Sequence, residues 1–107
     1  MDWSIDPQKL PEGDLVSLIG DFDLYEGPLF AQEMTTYIKM GHGRLVIDLT
    51  RVDYLDSCGV GVIIKLLQLT RSCGGSLRFR GLHGSPRRVL ELSNVIGLIQ
   101  EISGACP

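Results

Sequence analysis

The sequence predicts a single α/β domain, residues 1–107, in which helices cover a mixed β-sheet in the order β-β-α-β-α-β-α-(β). Short apolar runs typical of strands alternate along the chain with longer segments typical of helices. Strand–helix–strand units of this length favour parallel pairing, with the helix as the crossover, and we expect the helices to cover mainly one sheet face. Apolar residues make up 44% of the chain and charged residues 21%, which is enough for a core without disulfides or metal.

The first elements are two strands. A weaker strand is predicted over residues 3–10, and a turn rich in proline, glycine and acidic residues follows at 11–14. The second strand covers 15–19 and ends at Gly20, and a polar loop is predicted over 21–27.

The middle of the chain contains a helix, a strand and a second helix. Proline favours a first helical turn, so a helix is predicted from 28 to about 39, ended by glycines at 41 and 43. The nearly continuous apolar run at 44–49 is typical of a strand buried on both faces. The segment 56–72 predicts the second helix.

The last third predicts a strand, a helix and a short final strand. Residues 76–80 alternate between apolar and polar, as a half-buried strand does. Ser85 followed by proline predicts an N-cap and a helix to about residue 92, and Asn94 is a plausible left-handed stop. A last strand is expected within 96–102.

Charge and hydropathy exclude several functions. The net charge is −3, whereas a nucleic-acid binder needs a basic excess to neutralise phosphates, so no nucleic-acid partner is expected. The N-terminal residues lack the basic and apolar regions of a secretory signal. The longest apolar stretch, 60–69, is short for a membrane span and contains Lys65 and Gln68. We therefore expect a cytoplasmic protein without a membrane span.

Metal and catalytic motifs are also missing from the sequence. Cys58, Cys73 and Cys106 have no metal-ligand spacing, and His42 and His83 lie beside glycines in predicted loops. A nucleophilic serine needs a base within reach, and neither a Gly-x-Ser-x-Gly elbow nor a glycine-rich phosphate loop occurs. We expect no metal, no cofactor, no catalytic residue and no enzymatic activity.

The most informative segment is the junction between the strand at 44–49 and the second helix. Asp56 is a good N-cap, which places Ser57 at the first helical position, with the small residues Cys58 and Gly59 behind it. A helix N-terminus carries unpaired N–H groups and a positive partial charge, so a phosphate is tolerated there. Spacing alone leaves two interpretations open, namely a plain cap and a modifiable serine.

A family resemblance bears on that choice. Residues 45–49 followed by Asp-Ser-Cys-Gly-Val-Gly at 56–61 resemble STAS domains of the bacterial anti-sigma factor antagonist type. In that branch an apolar strand precedes Asp-Ser-(Ser/Thr)-Gly-(Leu/Val)-Gly. Three further segments resemble the family in the expected order, namely 20–23, 74–77 and 85–92. The resemblance spans about residues 15–102 and implies a STAS-like domain.

The resemblance implies phosphorylation-controlled partner switching. The unphosphorylated antagonist binds an anti-sigma factor, which is also its serine kinase, and frees the sigma factor. The kinase uses ATP and Mg²⁺ to phosphorylate Ser57, binding is lost, and a phosphatase restores it. Cys58 departs from the family pattern by lacking a hydroxyl. The expected partner-binding residues at this end are Asp21, Asp23, Asp56, Ser57, Cys58 and Gly59.

The second helix carries two apolar stripes. One stripe is the expected core face and comprises Val60, Ile63, Ile64 and Leu67. The other stripe comprises Val62, Leu66 and Leu69. Burial against a neighbouring helix explains the second stripe, and an exposed patch that contacts a partner is the alternative.

A constitutive adaptor is the competing function. Soluble subunits of lipid-transport complexes also resemble this family, and Ser57 would then be a cap or an interface hydroxyl without phosphorylation. If Ser57 is phosphorylated, the kinase that binds the unphosphorylated form is an anti-sigma factor or another histidine-kinase-like ATPase. Four arginines suggest either a solvated face or a patch for an acidic partner, namely Arg78, Arg80, Arg87 and Arg88.

Overall fold

A computed structural model describes residues 1–101 of the chain. The strands are β1 (Asp2–Leu10), β2 (Gly13–Phe22), β3 (Arg44–Leu55), β4 (Ser76–Arg80) and β5 (Gln100–Glu101). The helices are α1 (Gly27–Lys39), α2 (Ser57–Ser72) and α3 (Gly84–Leu92). This element order matches the predicted one.

The strands form one mixed sheet in the order β1-β2-β3-β4-β5, with four longer strands and a two-residue fifth. β1 runs antiparallel to β2, and the other neighbours pair in parallel. Each parallel pair is joined through a helix, as the spacing predicted. The predicted α/β fold with a mixed sheet is therefore confirmed.

The core lies between the sheet and the helices α1 and α2. Alternate strand residues, including Ile47 of β3 and Phe79 of β4, join one buried cluster with Phe30 of α1 and Leu66 of α2. The opposite strand positions include Asp48, which is only partly buried and lies on the other sheet face. Helices cover one face of the sheet, and this explains why apolar and polar residues alternate along β4.

β2 and β3 are longer than predicted, and this corrects the loop assigned to 21–27. Asp21 pairs with Tyr54 and Phe22 pairs with Leu55, so the sheet continues beyond Gly20. The register of β2 against β3 shifts just before and just after Gly20. These shifts break the period-two pattern by which a strand is identified in a sequence. Burial of Phe22 and Leu55 stabilises the extension.

α3 begins two residues earlier than expected. Its N-cap is His83, without a side-chain cap bond, so the prediction that Ser85 is the N-cap is wrong. Asn94 has a positive φ of 57°, as the predicted left-handed stop requires. The final strand is reduced to β5, and Ile102 lies outside the described residues. Among residues 1–101 no helix is long and apolar enough to cross a membrane.

Candidate functional site

The site begins where β3 ends and α2 starts. Asp56 has extended backbone angles and is the N-cap of α2, as predicted. Its Oδ1 accepts hydrogen bonds from the backbone N–H groups of Cys58, at 2.9 Å, and Gly59, at 3.1 Å. These two bonds satisfy N–H groups that the first helical turn cannot pair internally.

The same carboxylate ties a second segment to α2. Its Oδ2 accepts a bond from the backbone N–H of Leu24 at 3.2 Å, and the Asp56 N–H donates to the Phe22 carbonyl at 3.4 Å. The β2–α1 connection, residues 23–26, therefore lies beside the first turn of α2. The sequence predicted the cap but not this bond, because the two residues are 32 positions apart.

The β2–α1 connection has its own internal order. Oδ1 of Asp23 accepts bonds from the backbone N–H groups of Tyr25 and Glu26, both at 3.0 Å. The Asp23 carbonyl accepts a 2.8 Å bond from Gly27, which opens α1. Asp21, in contrast, is the penultimate residue of β2 and is exposed. The two aspartates expected on one loop thus have different roles, since Asp23 shapes the turn and Asp21 faces solvent.

Ser57 is exposed as the first residue of α2, and Cys58 is partly buried behind it. Gly59 is buried, and a Cβ there would lie 2.4 Å from Cδ1 of Leu55 and 2.7 Å from the Phe22 carbonyl oxygen. Only glycine lets α2 approach the ends of β2 and β3 this closely. Gly59 was expected among the partner-binding residues, but its missing side chain makes room for the chain's own Phe22 and Leu55.

The second apolar stripe of α2 is mostly core. Leu66 is 0% exposed and Val62 is buried, whereas Leu69 is partly buried and packs against the same cluster. α1 packs against α2, which accounts for this burial. The interpretation of these residues as an exposed partner patch is therefore wrong, and burial against a neighbouring helix holds instead.

Three exposed apolar side chains near Asp56 were not predicted as site residues. Leu24 and Tyr25 are 60% and 79% exposed on the segment bonded to Asp56, and Tyr54 is 47% exposed two residues before it. We call Leu24, Tyr25 and Tyr54 the apolar rim. In the sequence, Leu24 and Tyr25 are an apolar pair inside a largely polar loop. This pair could have indicated a contact surface, because folding alone does not require it.

Neither histidine takes part in this site. His83 Nε2 lies 2.9 Å from the Thr50 carbonyl oxygen, and His42 contacts Asp14 near the start of β2. Within residues 1–101 no cluster of three or more His, Cys, Asp or Glu side chains could hold a metal ion. The chemistry at the start of α2 is thus that of one exposed hydroxyl beside a carboxylate engaged by backbone N–H groups.

The family assignment follows from comparison with known proteins. The sequence profile of the STAS domain family matches residues 6–104. The chain belongs to the STAS domain family. An anti-sigma-B factor antagonist of Bacillus subtilis (strain 168) is 31% identical over 91 residues, which cover 84% of this chain and 80% of that relative. The resemblance inferred from residues 56–61 is confirmed.

Two solved structures have the same fold as this STAS domain. The anti-sigma factor antagonist SpoIIAA in its unphosphorylated form has a TM-score of 0.80 at 16% identity, covering 96% of this chain and 90% of that chain. The phosphorylated form of SpoIIAA from Bacillus has a TM-score of 0.73 at 16% identity, covering 96% and 93%. These likenesses confirm the predicted STAS-like fold.

Proposed function

We propose that this STAS domain is an anti-sigma factor antagonist that works by phosphorylation-controlled partner switching. In its unphosphorylated form it binds an anti-sigma factor that is also a serine kinase, and the sigma factor is released. Phosphorylation of Ser57 abolishes this binding, and a phosphatase reverses it. The observation that carries the proposal is the exposed Ser57 hydroxyl at the first position of α2, next to the fully engaged Asp56. The antagonist names of similar proteins support it.

The physical basis of the switch is a local change of charge on a rigid surface. A phosphoserine adds about −1.5 to −2 charges at neutral pH. The Asp56 carboxylate already accepts hydrogen bonds from three backbone N–H groups. The phosphate on Ser57 would be a second anionic group beside it, so the repulsion between negative charges would increase. Beneath the helix start, buried Gly59 lies close to Leu55 and to the Phe22 carbonyl, whereas Ser57 is exposed. Modification thus changes the surface and leaves the fold.

The apolar rim supplies the surface that the charge would disturb. Leu24, Tyr25 and Tyr54 can bury apolar area against a partner, and tyrosine is among the residues enriched at energetically important interface positions. A phosphate at the margin of such a contact would have to be desolvated without a paired charge, which costs binding free energy. Asp21 would flank the same surface.

In this function the chain is a substrate of catalysis and holds no cofactor. ATP and Mg²⁺ belong to the kinase. The Ser57 hydroxyl oxygen attacks the γ-phosphoryl group, the bond to ADP breaks, and the hydroxyl proton passes to a base of the kinase. Cys58, which replaces the hydroxyl residue usual in the family, would be read by the kinase as part of the sequence around Ser57. A cytoplasmic location agrees with these partners.

The test is phosphorylation of the purified chain by candidate anti-sigma kinases from its own host, with ATP and Mg²⁺. We expect one phosphate on Ser57 by peptide mass spectrometry and none on Ser57→Ala. Ser85→Ala is the matched control, because Ser85 is also an exposed serine in the first turn of a helix. Phosphopeptides from host cells should show Ser57 modification that changes with growth condition.

Binding then tests the switch itself. Ser57→Asp should weaken kinase binding about tenfold or more, whereas Ser57→Asn, of equal size without charge, should bind as the wild type does. If both variants bind like the wild type, the switch is contradicted. If Ser57 is never phosphorylated in cells or by any candidate kinase, the constitutive STAS adaptor becomes the better explanation.

A further inference from the structure

The sheet has a second face, turned away from the core that it shares with α1 and α2. Trp3 and Ile5 of β1 pack against that core, so the alternate residues of β1 lie on the second face. We call this second face the outer face. Its central row crosses the four longer strands through neighbouring residues, namely Asp6, Leu15, Val46 and Arg78.

The charges of the outer face are segregated by strand. The β1 side carries two exposed carboxylates, those of Asp2 and Asp6. The β3 and β4 side has a basic excess, namely Arg44, Arg78 and Arg80 together with one acidic residue, Asp48. Asp48 and Arg80 neutralise each other, because Oδ2 of the aspartate and Nε of the arginine are 3.2 Å apart. One half of the outer face is therefore acidic and the other half is basic.

Arg78 is the member of the basic half that most needs a partner. Its side chain is partly buried, and its Nε is a buried donor without an acceptor among residues 1–101. Buried donors in folded proteins are normally paired, since an unmade hydrogen bond costs stability. Asp6 lies in the same row, but three strand spacings, about 14 Å, separate β1 from β4. A carboxylate from outside the chain would therefore pair with Arg78 better than Asp6 of the same chain can.

We propose that the outer face is the contact between two copies of this chain, related by a two-fold axis that lies between the two sheets and runs along the strands. Such an axis reverses the strand order, so β1 of one copy lies over β4 of the other. Asp6 then faces the partner's Arg78. Because the contact is isologous, this ion pair forms twice, with the uncharged middle of the row, Leu15 and Val46, between the two pairs.

The charge pattern selects this axis over the alternative. Sheets that pack face to face keep their strands within about 30° of each other, which a two-fold axis along or across the strands allows. An axis across the strands would place β1 over β1, so carboxylates would face carboxylates and arginines would face arginines. Like charges brought together in this way oppose association. Only the axis along the strands brings the acidic half of one copy onto the basic half of the other.

The size and chemistry of the outer face set the strength of the contact. The charged area is about 14 Å across the strands and about 13 Å along them from Asp2 to Asp6. A stable protein interface buries about 800 Å² on each partner, so this contact is small. We therefore expect a weak dimer that forms at high protein concentration and dissociates when salt screens the ion pairs.

The test is sedimentation velocity of the purified full chain at about 0.5 mM, in about 20 mM and about 500 mM salt. We expect dimer in the lower salt and monomer in the higher. Asp6→Arg and Arg78→Asp should each raise the dimer dissociation constant about tenfold or more. An equimolar mixture of the two variants should dimerise again, because one variant then has arginine at both positions and the other has aspartate at both.

Arg88→Asp is the matched control, because it makes the same charge change as Arg78→Asp at an exposed position of α3. It should dimerise as the wild type does, and an equal loss in this variant overturns the proposal. A wild type that stays monomeric at the lower salt also overturns it. So does Asp6→Arg dimerising normally, and this outcome is decisive even if Arg78→Asp does not fold, since Asp6 is exposed. No kinase enters this test, so it is independent of the function proposed for Ser57.

Discussion

The two ends of β2 are each organised around an aspartate, and they differ in what donates to it. Asp56, which bonds to the Phe22 end, accepts from the backbone N–H groups of Leu24, Cys58 and Gly59. Asp14, at the other end, accepts from the backbone N–H of Gln8 and from the side-chain hydroxyl of Tyr37. Backbone donors do not titrate and are present whatever the side chain, whereas side-chain donors depend on residue identity and protonation.

The arrangement around Asp56 suits the role proposed for Ser57. A phosphorylation switch needs a surface whose shape is constant, so that the added charge is the only change. The backbone bonds of Asp56 provide such a surface around Ser57. At the other end, the bond from Tyr37 to Asp14 ties α1 to β2 and depends on the identity of a side chain. The predictions below test whether the Ser57 end is as rigid, and as separate, as this comparison requires.

The largest expected loss comes from the core beneath the Ser57 end. Leu66→Ala should lower the free energy of unfolding by about 3 kcal/mol, because it leaves a cavity under α2. Leu24→Ala is the matched control on the apolar rim and should change stability by less than about 0.5 kcal/mol. Urea unfolding measures both. If Leu24→Ala is the more destabilising change, the assignment of Leu66 to the core and of Leu24 to the rim is wrong. In a binding assay, only Leu24→Ala should weaken partner binding.

The next largest effect tests the close approach of α2 to the sheet. Gly59→Ala should cost about 2 kcal/mol, because its Cβ meets backbone at Phe22 as well as the Leu55 side chain. Gly61→Ala, in the same helix and pointing into open space, should instead stabilise by about 0.5–1 kcal/mol. Denaturant midpoints of the two variants should shift in opposite directions. Equal shifts of the two midpoints would show that the start of α2 does not pack as closely against Phe22 and Leu55 as the structure indicates.

Removal of the Asp56 cap should cost somewhat less. Asp56→Ala is expected to lose about 1.5 kcal/mol, because it frees two N–H groups of α2 and the Leu24 N–H. Asp56→Asn should lose less, since its amide oxygen can still cap the helix. Urea unfolding of the two variants measures both losses. An Asp56→Ala loss no larger than that of Asp56→Asn would show that the cap bonds contribute little to stability.

The smallest effect concerns Asp48, between the two ends on β3. Burial alone would raise its pKa, but hydrogen bonds from Thr50 and the Arg80 guanidinium, 3.2 Å away, outweigh it and hold the pKa below the ordinary value. A lowered pKa gives stability that is present above about pH 4 and is lost as the pH falls through the folded-state value.

Asp48→Asn should therefore cost less than about 1 kcal/mol at neutral pH, and this cost should shrink as the pH falls through the folded-state pKa of Asp48. Acid titration of the unfolding free energy, with and without this substitution, measures the difference. An Asp48→Asn loss that grows as the pH falls would contradict the assigned direction.

The parts of the molecule that could be predicted are those governed by near neighbours in the chain. The bounds of β4 and the end of α2 matched the pattern, and the cap at Asp56 bonds to residues two and three positions away. The left-handed Asn94 is likewise a local preference. Periodicity also placed Ile63 and Leu67 in the core.

Tertiary structure decided what depends on distant partners. The extension of β2 to Phe22 needs its pairing with Leu55 across register shifts, and the burial of Leu66 needs the elements packed against α2, namely α1, β3 and β4. The bond from Leu24 to Asp56 and the bond from Tyr37 to Asp14 join residues far apart in sequence, so no local pattern encodes them. The amino-acid sequence alone determined the element order, the family and the serine at the head of α2, because these rest on short-range pattern. Which apolar residues face solvent around that serine was decided only when the sheet and helices packed, since exposure is a property of the assembled fold.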